Sequence, residues 1–144
     1  MTPRHERGST LLLFPAAVLV LMVLGAIAVD LGSVYAAGRT LVREVGGGAD
    51  DAAARLDIAH LRATGDAVID LDAARRSVLA DLALDPLPGR PAGPVVVALG
   101  APPDTIVVEA ARDIPHVFGR AVPGVPDTER ITVRLTGTIR PPAA

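Results

Sequence analysis

Apolar positions along this chain change pattern twice. From Leu11 to Val29 the sequence reads LLLFPAAVLVLMVLGAIAV, 19 residues with no charge and no strongly polar group. Such a run matches the ~20 residues that a helix needs to cross ~30 Å of hydrocarbon. Leu, Ile, Val and Phe fill twelve of its positions, and at roughly −0.3 to −0.6 kcal/mol each near a helix centre they favour insertion. Pro15 is expected in the first turn, where its missing N–H is an orphan donor anyway. LGSVYAAGRTLVREV continues without a proline, so the helix should extend beyond the apolar run. Gly46-Gly47-Gly48 should then break it, because three glycines carry a large backbone entropy cost.

Helical periodicity follows. Residues 49–65 read as a helix with Asp50 and Asp51 in its first turn, where acids suit the dipole, and with Gly65 at its end. A second helix is capped by Asp70 or Asp72 and lines Leu71, Ala74, Val78 and Leu82 along one face. Asp72 and Arg76 are placed for an i,i+4 ion pair, and Asp85-Pro86 should stop this helix. The segment 86–94, PLPGRPAGP, is too rich in proline and glycine for a regular element.

Beyond it the period becomes two. Val95–Leu99 is a short apolar run, and in Thr105–Ala110 either face could point inward. In Arg130–Arg140, Ile131, Val133, Leu135 and Ile139 oppose arginines and threonines. Strict alternation means one buried and one wet face, hence an antiparallel sheet. The expected fold class is α+β: a long N-terminal transmembrane helix, then a small extracytoplasmic domain of one or two helices and about three antiparallel strands. The expected divisions are a flank at 1–10, the transmembrane helix and its extension at 11–45, and the domain at 49–144, with the Pro/Gly-rich loop at 86–94.

Charge orients the anchor. Arg4 and Arg7 precede the run and Asp30 follows it, which by the positive-inside tendency places the N-terminus in the cytoplasm and the domain outside the cell membrane. Ala26-Ile27-Ala28 offers an alternative, since an A-x-A triplet after an apolar run suits signal peptidase. Cleavage after Ala28 would release a small secreted binding module, but the run is long for a signal peptide. Ala28, Gly32 and Ala36 fall four apart on one face and are candidates for a helix–helix interface, because small residues let helices approach closely. Simple alanine abundance explains the same spacing. Tyr35 is expected near the membrane interface.

Composition narrows the chemistry. All 14 basic residues are arginine and the net charge is −2, which argues against nucleic acid as a partner. The absence of cysteine excludes disulfides, thiolate metal sites and cysteine nucleophiles. His5, His60 and His116 lie far apart in the sequence, with no metal-ligand spacing. Ser9, Ser33 and Ser77 sit in no nucleophile elbow. Helix-start preference explains the Asp pairs, and Arg75-Arg76 reads as a solvated helix face. No catalytic residue, cofactor or metal ligand is expected, and the protein reads as non-enzymatic.

One resemblance adds to this. Arg7-Gly8-Ser9, the apolar span, Ala28-Val29-Asp30-Leu31-Gly32, Tyr35 and Arg39-Thr40-Leu41 occur in the order found in the N-terminal region of TadE/TadG-like proteins. These belong to the tight-adherence (Flp) pilus system, and the similarity is to the actinobacterial type. Ala49–Ala54, the Leu71–Arg76 helix, and the order strand, Pro115, Phe118-Gly119, strand 131–139 are similar in layout. The resemblance implies a single-pass envelope protein acting in pilus assembly or secretion through contacts with other envelope or pilus-assembly proteins. Self-association is expected instead from the Ala28, Gly32 and Ala36 face of the N-terminal helix. At Leu13, five residues after Gly8, prepilin-peptidase substrates of this system carry Glu. That difference argues against processing and ordinary incorporation into a filament. The sequence also has no counterpart of the large extra domain of longer TadG members.

Overall fold

The apolar run is helical, and the helix continues far past it. A computed structural model describes residues 7–84, 87–102 and 104–140, with side chains from residue 13 onward. Helix α1 spans Arg7–Ala53, 47 residues, about 70 Å at ~1.5 Å per residue. Its two halves have different surroundings. Between residues 13 and 29 every side chain but Ala26 is exposed, including Phe14 at 75% and Met22 at 69%. This stretch is long and apolar enough to cross a membrane. In the second half Ala37, Leu41, Val45, Ala49 and Ala52 are buried, and the last four form one wall of the hydrophobic core.

Three expectations for α1 need correction. Gly46-Gly47-Gly48 does not break the helix. Each helical glycine costs ~1 kcal/mol relative to alanine, whereas burying Leu41 and Val45, both fully enclosed, contributes roughly 1.5–3 kcal/mol each. Tertiary packing therefore outweighs local propensity. Pro15 lies inside the helix rather than in its first turn, because the helix already runs at Arg7. The proline there removes one interior hydrogen bond. Asp50 and Asp51 fall in the last turn of α1 rather than at a helix start.

The expected helix over 49–65 is thus split. After a turn at Ala54, a short helix α2 covers Ile58–Thr64. Asp57 starts it by accepting a hydrogen bond from the His60 N–H at 2.9 Å. Gly65 closes it in the left-handed region at φ 83, a conformation that glycine adopts without steric cost. Helix α3, Leu71–Leu84, begins where Asp70 accepts from the Ala73 N–H at 2.9 Å. Ala74 and Val78 are buried, with Leu71 and Leu82 partly so, as the spacing predicted. The stop at Asp85-Pro86 lies outside the described residues. No ion pair joins Asp72 to Arg76 among the described residues.

The sheet has four strands rather than three: β1 Arg90–Pro91, β2 Val96–Leu99, β3 Thr105–Pro115 and β4 Thr128–Thr138, all antiparallel. Strand β1 corrects the expectation that 86–94 holds no regular element. β3 is central, with β4 paired along one edge and β1 and β2 sharing the other. Ile106, Val108, Ala110 and Ile114 of β3 are buried, which settles which face of that strand points inward. α1 and α3 cover this face. β4 alternates as predicted, with Val133 and Gly137 buried and Thr132, Arg134, Thr136 and Thr138 exposed. On the open face Arg130 makes a forked hydrogen bond to its cross-strand partner Asp113, at 2.8 and 3.1 Å.

Helix α1 runs alongside β4 in the same direction. A Cβ on Gly38 would stand 3.6 Å from Ile131, and one on Gly46 3.4 Å from Leu135. At the far end Gly137 brings β4 against the Ala49 carbonyl and the Ala53 side chain, leaving no room for a Cβ. The turn joining β3 to β4 consequently lies beside the middle of α1, where the apolar run ends.

Candidate functional site

The most elaborate polar contact among the described residues forms at that point. Asp30 is the first charged residue after the apolar run and is 8% exposed. Its carboxylate accepts hydrogen bonds from three successive backbone N–H groups in the β3–β4 turn. Val117 N donates to Oδ1 at 2.6 Å, Phe118 N to Oδ1 and Oδ2 at 3.1 and 3.2 Å, and Gly119 N to Oδ2 at 2.7 Å. Consecutive backbone donors facing one way form an anion-binding nest, and here the chain's own carboxylate fills it. A 3-10 turn over Gly119–Ala121 follows, so these donors have no helical partner.

The local sequence explains this geometry. Ile114 is buried and Pro115 ends β3. His116 N then donates to Asp127 O at 2.9 Å, closing the turn. A Cβ on Gly119 would stand 3.0 Å from the His116 Cβ and 3.4 Å from Asp30 Oδ2, so glycine keeps the approach open. Burial opposes charge on Asp30. The N–H groups of Phe118, Val117 and Gly119, with attraction from His116, outweigh it and hold the carboxyl below its ordinary 3.8. On the sheet, the hydrogen bond from Arg130 likewise lowers the Asp113 carboxyl.

Ala28, Gly32 and Ala36 are all exposed. With 3.6 residues per turn they lie on the side of α1 opposite Asp30, Ala37 and Leu41, which face the domain. No atom stands within 4 Å of a Cβ built on Gly32. The three small residues thus form one continuous stripe that the domain leaves uncovered.

The other chemical candidates remain dispersed. His60 is exposed on α2, His116 sits half-buried in the turn, and His5 lies outside the described residues. Ser33 Oγ donates back to the Asp30 carbonyl at 2.8 Å, an ordinary helical contact. Ser77 accepts from Arg55 Nε and Nη2 at 3.2 and 2.9 Å, and the side chain of Ser9 lies outside the described ones. Arg75 and Arg76 are both exposed, and Arg75 reaches the Val97 carbonyl at 3.3 Å, which ties α3 to the sheet. Asp50 stands 3.9 Å from Arg140. Among the described residues no three His, Asp or Glu side chains gather as a metal site would require.

Sequence reasoning placed Asp30 as a boundary marker and as part of the resemblance, without a partner. Its partners are 87 to 89 residues away, and backbone donors have no sequence signature. The available signal was an acid at the end of an apolar run with no basic residue within a helical turn. The chain matches no protein-family model, no curated protein and no solved structure.

Proposed function

We propose that this chain is a non-enzymatic, single-pass protein of the cell envelope, anchored through residues 11–29 with its N-terminus in the cytoplasm and its α+β domain outside. It acts by protein–protein contact, in the manner of TadE/TadG-like components of Flp pilus assembly or secretion. The observation that carries the anchored reading is the division of α1. Its first half is apolar and, Ala26 apart, exposed from residue 13 on, and its second half is built into the domain core. Such an arrangement gives a bilayer anchor that cannot swivel freely against the domain. The assembly role rests on the residue pattern from Arg7 to Leu41. It draws support from the Asp30 contact, which joins Ala28-Val29-Asp30 to Phe118-Gly119, both parts of that resemblance.

Release as a secreted module is the second reading, and one observation favours it. The hydrogen bonds from α1 to the β3–β4 turn are made by Asp30, so cleavage after Ala28 would keep them. Intact mass and N-terminal sequencing of protein from membrane and soluble fractions decide between the two. Full-length chain that resists carbonate and leaves the membrane only with detergent is the expected result. A soluble chain beginning at Val29 would overturn the anchored reading, and a chain beginning at Ser9 would point to prepilin-type processing.

A further inference from the structure

The β3–β4 turn carries an apolar surface that the fold leaves uncovered. Val117, Phe118, Val122 and Val125 are exposed by 53, 47, 53 and 42%, all within the segment between Pro115 and Thr128. Asp30 holds this turn through the backbone of residues 117–119, which leaves the Val117 and Phe118 side chains outside the contact. Asp30 is one residue past Val29, a rise of about 1.5 Å along the helix. The turn is therefore fixed at the level where the apolar run ends.

Aromatic residues show the same bias. The chain has only three, Phe14, Tyr35 and Phe118, and none is in the core; they are 75, 68 and 47% exposed. Phe14 lies within the apolar run. Tyr35 lies five residues past Asp30, about 7.5 Å along the axis, with the Arg39 guanidinium 5.8 Å from its ring centre. Phe118 lies at the Asp30 contact. A water-facing domain would enclose its scarce rings, whereas a bilayer surface favours them at its boundary.

We propose that the β3–β4 turn is a second membrane contact, inserting Val117, Phe118, Val122 and Val125 into the interfacial layer of the bilayer beside the point where α1 emerges. This inference rests on the anchored reading above. The Asp30 carboxylate ties the turn to the helix, so the helix and the turn meet the bilayer as one rigid foot. Strand β4 then rises from the surface with α1, and its Thr138 end stands about 33 Å away along the strand. With Arg120, Asp127 and Glu129 of both signs around the turn, the contact is apolar rather than selective for anionic lipid.

The chain has no cysteine, so single-cysteine variants of the full protein report one site each. Val122→Cys, Thr138→Cys and Leu19→Cys would be labelled with an environment-sensitive fluorophore. Each protein would be reconstituted in phosphatidylcholine vesicles carrying a nitroxide near the headgroup or along the acyl chain. The expected result is headgroup quenching several-fold stronger at 122 than at 138, with acyl-chain quenching at 19. Equal headgroup quenching at 122 and 138, with 19 quenched, overturns the turn contact while the anchor stands. No quenching at 19 overturns the anchored reading and this inference with it.

Discussion

A carboxylate satisfied by three successive backbone N–H groups is held by geometry that no neutral side chain matches. Asp30 offers two acceptor oxygens with room for several donors, and charged acceptors make the stronger hydrogen bonds. Because the folded carboxyl lies below its ordinary 3.8, its stabilising effect is fully present above that value and is lost as pH falls through the folded value. The Val117, Phe118 and Gly119 amides should therefore stay protected from hydrogen exchange at pH 5 and lose protection only below about pH 3.8. Asp30→Asn should raise their exchange at neutral pH and remove the acid transition. If the wild-type turn opens at or above 3.8, or the variant keeps the transition, Asp30 does not hold the turn.

At the scale of elements, the glycines of α1 and β4 differ in what surrounds them. Gly47 is exposed, helical and without an atom within 4 Å of an added Cβ. Gly47→Ala should stabilise the protein by about 1 kcal/mol, the helix-propensity difference. Gly137, in contrast, lets β4 touch the Ala49 carbonyl, and Gly137→Ala should destabilise by about 1–3 kcal/mol through overpacking. Urea unfolding of both variants in detergent measures the two signs. A loss for Gly47→Ala would mean that the triple glycine acts as a hinge after all. Strand β4 was legible because one buried face enforces alternation, whereas the inward face of β3 and its pairing with β4 came only from the structure. Strand β1 was not legible, since two residues paired only through their backbones leave no hydrophobic pattern.

For the molecule as a whole, the stripe of Ala28, Gly32 and Ala36 lies opposite the domain and is free to meet a second helix. If it mediates self-association, Gly32→Leu should reduce crosslinked oligomers in membranes without unfolding the domain, because Gly32 is exposed and an added Cβ there meets no atom within 4 Å. Oligomers unchanged by this substitution would remove the stripe as an interface.

Sequence by itself determined the apolar run, the capped α3 helix, the alternation of β4 and the absence of thiol chemistry. Each depends on residue type or on short-range periodicity, which local physics reads directly. Tertiary structure alone decided that α1 passes through Gly46–Gly48, since burial of Leu41 and Val45 outweighs the local cost of glycine. It also decided that Asp30 meets the β3–β4 turn. That contact joins a side chain to backbone donors far along the chain, and donors common to every residue but proline become a site only when the fold aligns them.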